Sequence, residues 1–251
     1  MLRGIYTATS SLLTKTRELN THANNVANLS TAGFKADRLV TSTFEEALAL
    51  RRESGENNNI GRSFRGKKAV ELYTDFTQGI FEETSRPLDL ALTGEGFFMF
   101  MNVGEELYFS RNGQFGIDGE GYLVNNLGDY VLDNTESPIF VGRSDFSVTP
   151  DGDIHLFSGD YLGTVGVYVP EDYRALKKTG EETFMAADGL EPGSADFTGT
   201  IHQGRIEVSN TDLAFEMAAM IANTRSYQTM AQFLRNYDAT LAKTISEVGR
   251  V

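Results

Sequence analysis

His22-Ala-Asn-Asn-Val-Ala-Asn-Leu-Ser-Thr-Ala-Gly-Phe-Lys-Ala-Asp37 is the stretch on which the reading of this chain turns. Asn24, Asn25 and Asn28 stand where a helix is ending, although Asn competes for backbone hydrogen bonds and is a mediocre helix former. Gly33 can adopt the left-handed conformation that closes a helix, and Phe34 places a large apolar anchor just beyond it. An amide both donates and accepts. Three of them therefore suit a helix end whose orphan carbonyls need partners, in the same chain or in a neighbouring one.

Upstream of that stretch, Ile5, Leu12, Leu19 and Val26 recur every seven residues, with Thr9, Thr16 and Ala23 between them. The other end of the chain repeats the pattern through Leu213, Met220, Tyr227, Leu234, Leu241 and Val248, with Met217, Thr224, Ala231, Asp238 and Ile245 between. A seven-residue repeat keeps one narrow seam facing a partner helix. Ser209, followed three residues later by Asp212, reads as the start of the C-terminal helix, which at 1.5 Å per residue would be about 60 Å long. The seams carry Thr and Asp, so neither helix is expected to be stable alone.

Between the helices the chain changes character. Residues 84–205 hold all five prolines and short apolar runs such as Gly96-Phe-Phe-Met-Phe-Met101. Turn pairs recur among them at Asn112-Gly113, Asp118-Gly119 and Asp151-Gly152, and such pairs suit the positive φ angles of tight hairpins. The expected fold class is α+β: terminal helices paired as a coiled-coil stalk, an inserted all-β head and an extended connector. The expected boundaries are residues 1–35 for the first helix, 36–75 for the connector, 76–205 for the head and 206–251 for the last helix. A fragment of about residues 73–205 is expected to fold alone. Residues 54–68, polar and glycine-punctuated, are expected to be mobile.

Composition excludes several functions. A net charge of −13 opposes phosphate-rich partners, so no nucleic acid is expected. The best basic candidate, Arg62 to Lys68, reads as a solvated linker. With no cysteine, neither disulfides nor thiolate metal sites can form. The start of the chain is too polar for a secretory apolar region, and no run is long enough to cross a bilayer. Asp151-Gly-Asp153-Ile-His155 alternates polar groups on one strand face and could hold a metal, but a hairpin turn explains the same letters. Asp118-Gly-Glu120-Gly121 lacks the twelfth-position Glu of a calcium loop, and Gly94-Glu-Gly96 lacks the third glycine of a dinucleotide fingerprint. No catalytic residue, metal, cofactor or small-molecule substrate is expected. The alternative function is a soluble extracellular β-domain binding module on a coiled-coil stalk. A metal-dependent enzyme ranks below it.

Ala23-Asn-Asn-Val-Ala-Asn28 followed by Thr31-Ala-Gly-Phe-Lys35 resembles the N-terminal signature of the bacterial flagellar rod and hook family. Thr77-Gln-Gly79, Pro87-Leu-Asp-Leu-Ala91, Gly94-Glu-Gly-Phe-Phe98, Tyr108-Phe-Ser-Arg-Asn-Gly113, Asp118-Gly-Glu-Gly-Tyr-Leu-Val124 and Gln203-Gly204 with Glu207-Val-Ser-Asn210 follow in the family's order. The length and Ser85-Arg-Pro-Leu-Asp89 look most like the proximal-rod members. The resemblance implies a non-enzymatic subunit of the flagellar basal body, outside the cytoplasm, exported unfolded through the type III flagellar apparatus without a cleavable signal. It implies assembly with copies of itself and with other rod and hook proteins into a helical tube that transmits torque from motor to hook. Asn24, Asn25, Asn28, Gly33 and Phe34 would then serve assembly, and Ile5, Leu12, Leu19, Val26, Leu213, Met220, Tyr227, Leu234 and Leu241 the helix seam.

Overall fold

Helix α1, Leu2–Ala27, runs without proline, and the hydroxyls of Ser10, Thr14, Thr16 and Thr21 donate back to carbonyls three or four residues earlier. Helix α2, Leu213–Val248, has 36 residues. Its N-cap is Asp212, whose Oδ1 accepts the N–H groups of Ala214 (2.9 Å) and Phe215 (3.2 Å). Ser209, expected to start the helix, instead bonds Thr211. The computed structural model describes residues 2–43, 47–53, 56–63, 67–102, 104–143, 145–186 and 197–248. The fold class is α+β, and the chain forms two units.

The first unit comprises residues 1–27, 37–75 and 212–251. In it α1 and α2 run antiparallel: Lys15 Nζ donates to Asn223 Oδ1 (2.8 Å), while His22 Nδ1 meets Glu216 at the opposite end of the pair from Gly4 and Tyr237. Ile5, Leu12, Leu19 and Val26 are half-buried, and so are Met220, Leu234 and Leu241. Leu213 and Tyr227 are exposed. Of the residues expected between the seam positions, Ala231 is half-buried, while Met217, Thr224 and Asp238 are exposed and their preceding neighbours Glu216, Asn223 and Tyr237 are covered instead. The 36–75 region is extended in its described parts, and its strands pair. Strand β1 (Asp37–Thr43) pairs antiparallel with β4 (Lys67–Thr74), and β2 (Ala47–Glu53) with β3 (Glu56–Ser63). Antiparallel strands satisfy each other's backbone whatever their side chains, so a polar sequence can still form a ribbon. Of the stretch expected to be mobile, residues 54, 55 and 64–66 lie outside the described residues.

The second unit comprises residues 28–36 and 76–211. Its strands are β5 (Phe81–Glu83), β6 (Leu90–Thr93), β7 (Phe97–Met101), β8 (Leu107–Ser110), β9 (Phe115–Ile117), β10 (Leu123–Asn125), β11 (Tyr130–Val131), β12 (Phe146–Val148), β13 (Asp153–Leu156), β14 (Tyr161–Thr164), β15 (Val167–Tyr168), β16 (Leu176–Lys178), β17 (Thr183–Ala186), β18 (Thr200–Gln203) and β19 (Arg205–Glu207). The largest sheet runs β16-β17-β8-β7-β11-β10-β9, with β15 also on β7. Central β7 shows why the sequence folds this way. Its side chains alternate between faces, so Phe98 and Phe100 enter the main core, while Phe97 joins Phe109, Tyr168 and Phe184 in a second, aromatic cluster. Two pairs outside that sheet, β6 with β18 and β5 with β19, bring residues near 80–93 against 200–207. A fragment ending at 205 omits Glu207, and one starting at 73 omits residues 28–36.

Candidate functional site

The signature stretch divides between the two units, and each part is bonded within its own. In the first unit Asn25 is 1 % exposed. Its Oδ1 accepts the Asp37 N–H (2.9 Å), and its Nδ2 donates to the Asp37 carbonyl (2.9 Å) and to Glu216 Oε1 (3.1 Å). The amide thus pairs with Asp37 as a neighbouring strand would, and the second oxygen of Glu216 meets His22. Asp37 in turn accepts from Thr74 (2.8 Å), so one side chain ties α1, α2 and the β1–β4 pair together. Asn24 is exposed. Replacing Asn25 with Ala orphans three buried groups, each worth about 1–3 kcal/mol. The helical signal at 222 nm is expected to melt earlier by the equivalent of about 3 kcal/mol. An unchanged helical melt would remove Asn25 from this role.

In the second unit Asn28 accepts from Thr31 Oγ1 (3.2 Å) and Gly33 donates to the Glu207 carbonyl (2.8 Å). Gly33 has φ +72°, and a Cβ there would lie 2.3 Å from the backbone nitrogen of Asn112, so this position excludes other residues on two grounds. Phe34 is fully buried, with Lys178 Nζ 4.2 Å above its ring.

Lys35 follows, and here the structure reveals what the sequence reading did not single out. Lys35 and Glu207 are each 1 % exposed, and Arg111 is 4 % exposed. Lys35 Nζ reaches Glu207 Oε1 at 2.6 Å and the Thr77 carbonyl at 2.8 Å. The same Oε1 accepts the Gly79 N–H (2.7 Å), while Oε2 accepts from Arg111 (3.2 Å). Arg111 also donates to the Gly94 carbonyl (2.6 Å) and lies over the Phe97 ring. Next to it, Asn112 donates twice to Glu182, whose carboxyl burial pushes above the usual range. Asn210 completes the set, accepting from the Ala36 N–H (2.8 Å) and donating to Thr77 (3.0 Å).

Runs that are far apart in sequence, around residues 31–35, 77–79, 111–113 and 207–210, therefore meet in one buried network. A charged residue inside each of three such runs was the available signal. The strings that could have carried other chemistry form turns instead. Asp118 Oδ1 accepts three backbone N–H groups of its own hairpin, and Asp153 accepts from Thr164 across β13–β14. Among the described residues no group of three or more His, Asp or Glu is placed to hold a metal.

The polar groups of this network hold other groups of the same chain, and the proteins that the chain resembles are rod and hook-basal body proteins by name. Residues 5–35 match the family described as flagella basal body rod protein, residues 91–177 the flagellar hook protein FlgE/F/G D1 domain, and residues 202–247 the flagellar basal body rod FlgEFG protein C-terminal region. Flagellar hook-basal body complex protein FlhO of Bacillus subtilis is 30% identical over 272 residues, covering all of both chains. Flagellar basal-body rod protein FlgF of Caulobacter vibrioides is 29% identical over 258 residues, again covering both completely. Flagellar basal-body rod protein FlgG of Bacillus subtilis is 27% identical across 98% of this chain and 99% of its own. The chain belongs to the flagellar basal-body rod and hook family.

Proposed function

We infer that this chain is a structural subunit of the bacterial flagellar basal-body rod and contributes to motility. It assembles with copies of itself and with other rod and hook proteins into a helical tube that carries torque from motor to hook. It reaches that place through the flagellar export apparatus, without a cleavable signal peptide. It performs no catalysis and takes no cofactor, nucleic acid or small-molecule substrate. No helix among the described residues is long and apolar enough to cross a membrane.

Beyond family membership, one observation supports the reading. Both helices leave large apolar side chains in the open: Tyr6 and Leu13 on α1, and Met217, Ile221, Phe233 and Ile245 on α2 are all more than half exposed or at that level. Such residues ask for cover, which neighbouring subunits supply. In the assembled rod α1 and α2 form a coiled-coil pair through Ile5, Leu12, Leu19, Val26, Met220, Leu234 and Leu241. Leu213 and Tyr227 face a neighbour, and Asn24 and the outer helix faces complete the contact.

The native chain has no cysteine, so Leu13→Cys and Ile221→Cys introduce unique thiols. Oxidising the assembled rod is expected to link neighbouring subunits through these positions, and sedimentation of the purified chain is expected to show concentration-dependent association. A chain that stays monomeric at all concentrations and forms no link would instead be a soluble binding module.

A further inference from the structure

Six turns of the second unit share one hydrogen-bond pattern. In each, the first residue's N–H donates to the carbonyl of the fifth, and the fourth residue's N–H donates to the carbonyl of the first. The turns begin at Asn102, Asp118, Asn125, Asp133, Thr149 and Leu156. The fourth residue always has a positive φ, the geometry of a three-residue hairpin loop closed by a bulge.

Their order is not arbitrary. Asn102 and Asp133, Asp118 and Thr149, and Asn125 and Leu156 are each separated by 31 residues. Gly121 and Gly152 match at φ 100° and 95°, and Gly128 and Gly159 at 89° and 97°. Glu105 and Glu136 match at 61° and 60°, and they are two of only three non-glycine residues with positive φ among those described. Strand pairing repeats with the same offset. Phe115↔Asn125, Gly116↔Val124 and Ile117↔Leu123 in β9–β10 become Phe146↔Leu156, Ser147↔His155 and Val148↔Ile154 in β12–β13. Val124↔Tyr130 becomes His155↔Tyr161, and Met101↔Leu107 becomes Leu132↔Pro138. Burial follows as well: Phe100 with Val131, Tyr108 with Ile139, Phe115 with Phe146 and Leu123 with Ile154 all lie in the one core.

We propose that residues 98–131 and 129–162 are two tandem copies of one β unit with a 31-residue period, and that the first copy was specialised at Arg111 and Asn112 to hold residues 28–36. Strand β11 closes the first copy and opens the second, as a running repeat requires. Turn type alone does not account for matching register, matching burial and a constant period together. Where the first copy has Arg111 and Asn112, both bonded into the Lys35–Glu207 network or beside it, the second has Gly142 and Arg143. Gly142 has φ 67° and its backbone N–H closes onto Gly121 instead.

Hairpin transplants in the full chain test the proposal. Replacing residues 146–156 with a second copy of Phe115–Asn125 puts the matching hairpin in the matching place. The chain is expected to keep a cooperative melt within about 4 °C of the parent. Replacing the same residues with a copy of Tyr122–Leu132 preserves the turn but not the partner, and is expected to lower the melt by more than about 12 °C or abolish cooperativity. Equal tolerance of both transplants would reduce the resemblance to a shared turn type, and collapse of the matched one would overturn the repeat. Writing the second copy's letters into the first, with Arg111→Gly and Asn112→Arg, is expected to cost more than about 10 °C. A melt unchanged by that pair would overturn the specialisation.

Discussion

Glu207→Ala is expected to lower the melting temperature of the β-rich unit by about 10 °C or more. The carboxylate holds Lys35 and Arg111 together, and all three are almost completely out of water. Removing it leaves two like charges buried without their shared carboxylate. Breaking a buried ion pair from one side costs about 3–5 kcal/mol, because the surviving charge is uncompensated. In a unit of this size each kcal/mol moves the midpoint by about 2–4 °C. The loss also strips Gly79 of its acceptor at 2.7 Å. Lys35→Met should cost less, since Glu207 keeps Arg111 and the Gly79 N–H. Thermal melts followed by far-ultraviolet circular dichroism rank the two. A Glu207→Ala chain melting within about 2 °C of the parent would mean that water or relaxation replaces the network.

Leu234→Asp is expected to abolish rod assembly and motility while the β-rich unit's melt moves by no more than about 2 °C. Leu234 is half-buried in the unit that contains both helices. Truncating a leucine there removes about 2 kcal/mol of burial per subunit, repeated at every equivalent contact of a helical assembly. A carboxylate in a dry interface adds its desolvation cost. Glu120→Lys is the matched control, because Glu120 is exposed on a hairpin whose bonds to Asp118 use only its backbone. That variant should assemble and swim. Normal motility in Leu234→Asp, or a collapsed β melt, would show that the helices do not serve assembly.

The helices and the β region were legible because periodicity and turn chemistry are local. Seven-residue repeats mark α1 and α2, and alternating Phe residues mark β7. Where a competing local signal existed, the reading slipped by a step. Ser209 and Asp212 are both good caps, and what decides is that Asp212 accepts the Ala214 and Phe215 N–H groups while Ser209 bonds Thr211. Polarity over residues 36–75 pointed to an extended connector without its partners, because strand pairing there uses backbone groups that composition does not report. The asparagines raised the right question. Their sequence allowed partners in the same chain or in a neighbouring one, and for Asn25 the structure supplies Asp37 and Glu216 of the same chain. Lys35, Arg111 and Glu207 were read only as letters of separate runs, because charged residues are normally solvated and no single run announces that the three meet in the interior.

The partners of Glu207 also set a schedule. Lys35 lies 172 residues before it and Arg111 lies 96 before it, while Asn25 waits 191 residues for Glu216. Contacts that close such long loops form late, since the loop entropy must be overcome before they return anything. A chain growing from its N-terminus therefore carries Lys35 and Arg111 without their shared carboxylate until residue 207 has been made. The carboxylate that each network needs is made after its partners, Lys35 and Arg111 in one unit and Asn25 in the other. Completion comes with a short stretch near the C-terminus, which brings the missing carboxylates to both units at nearly the same time.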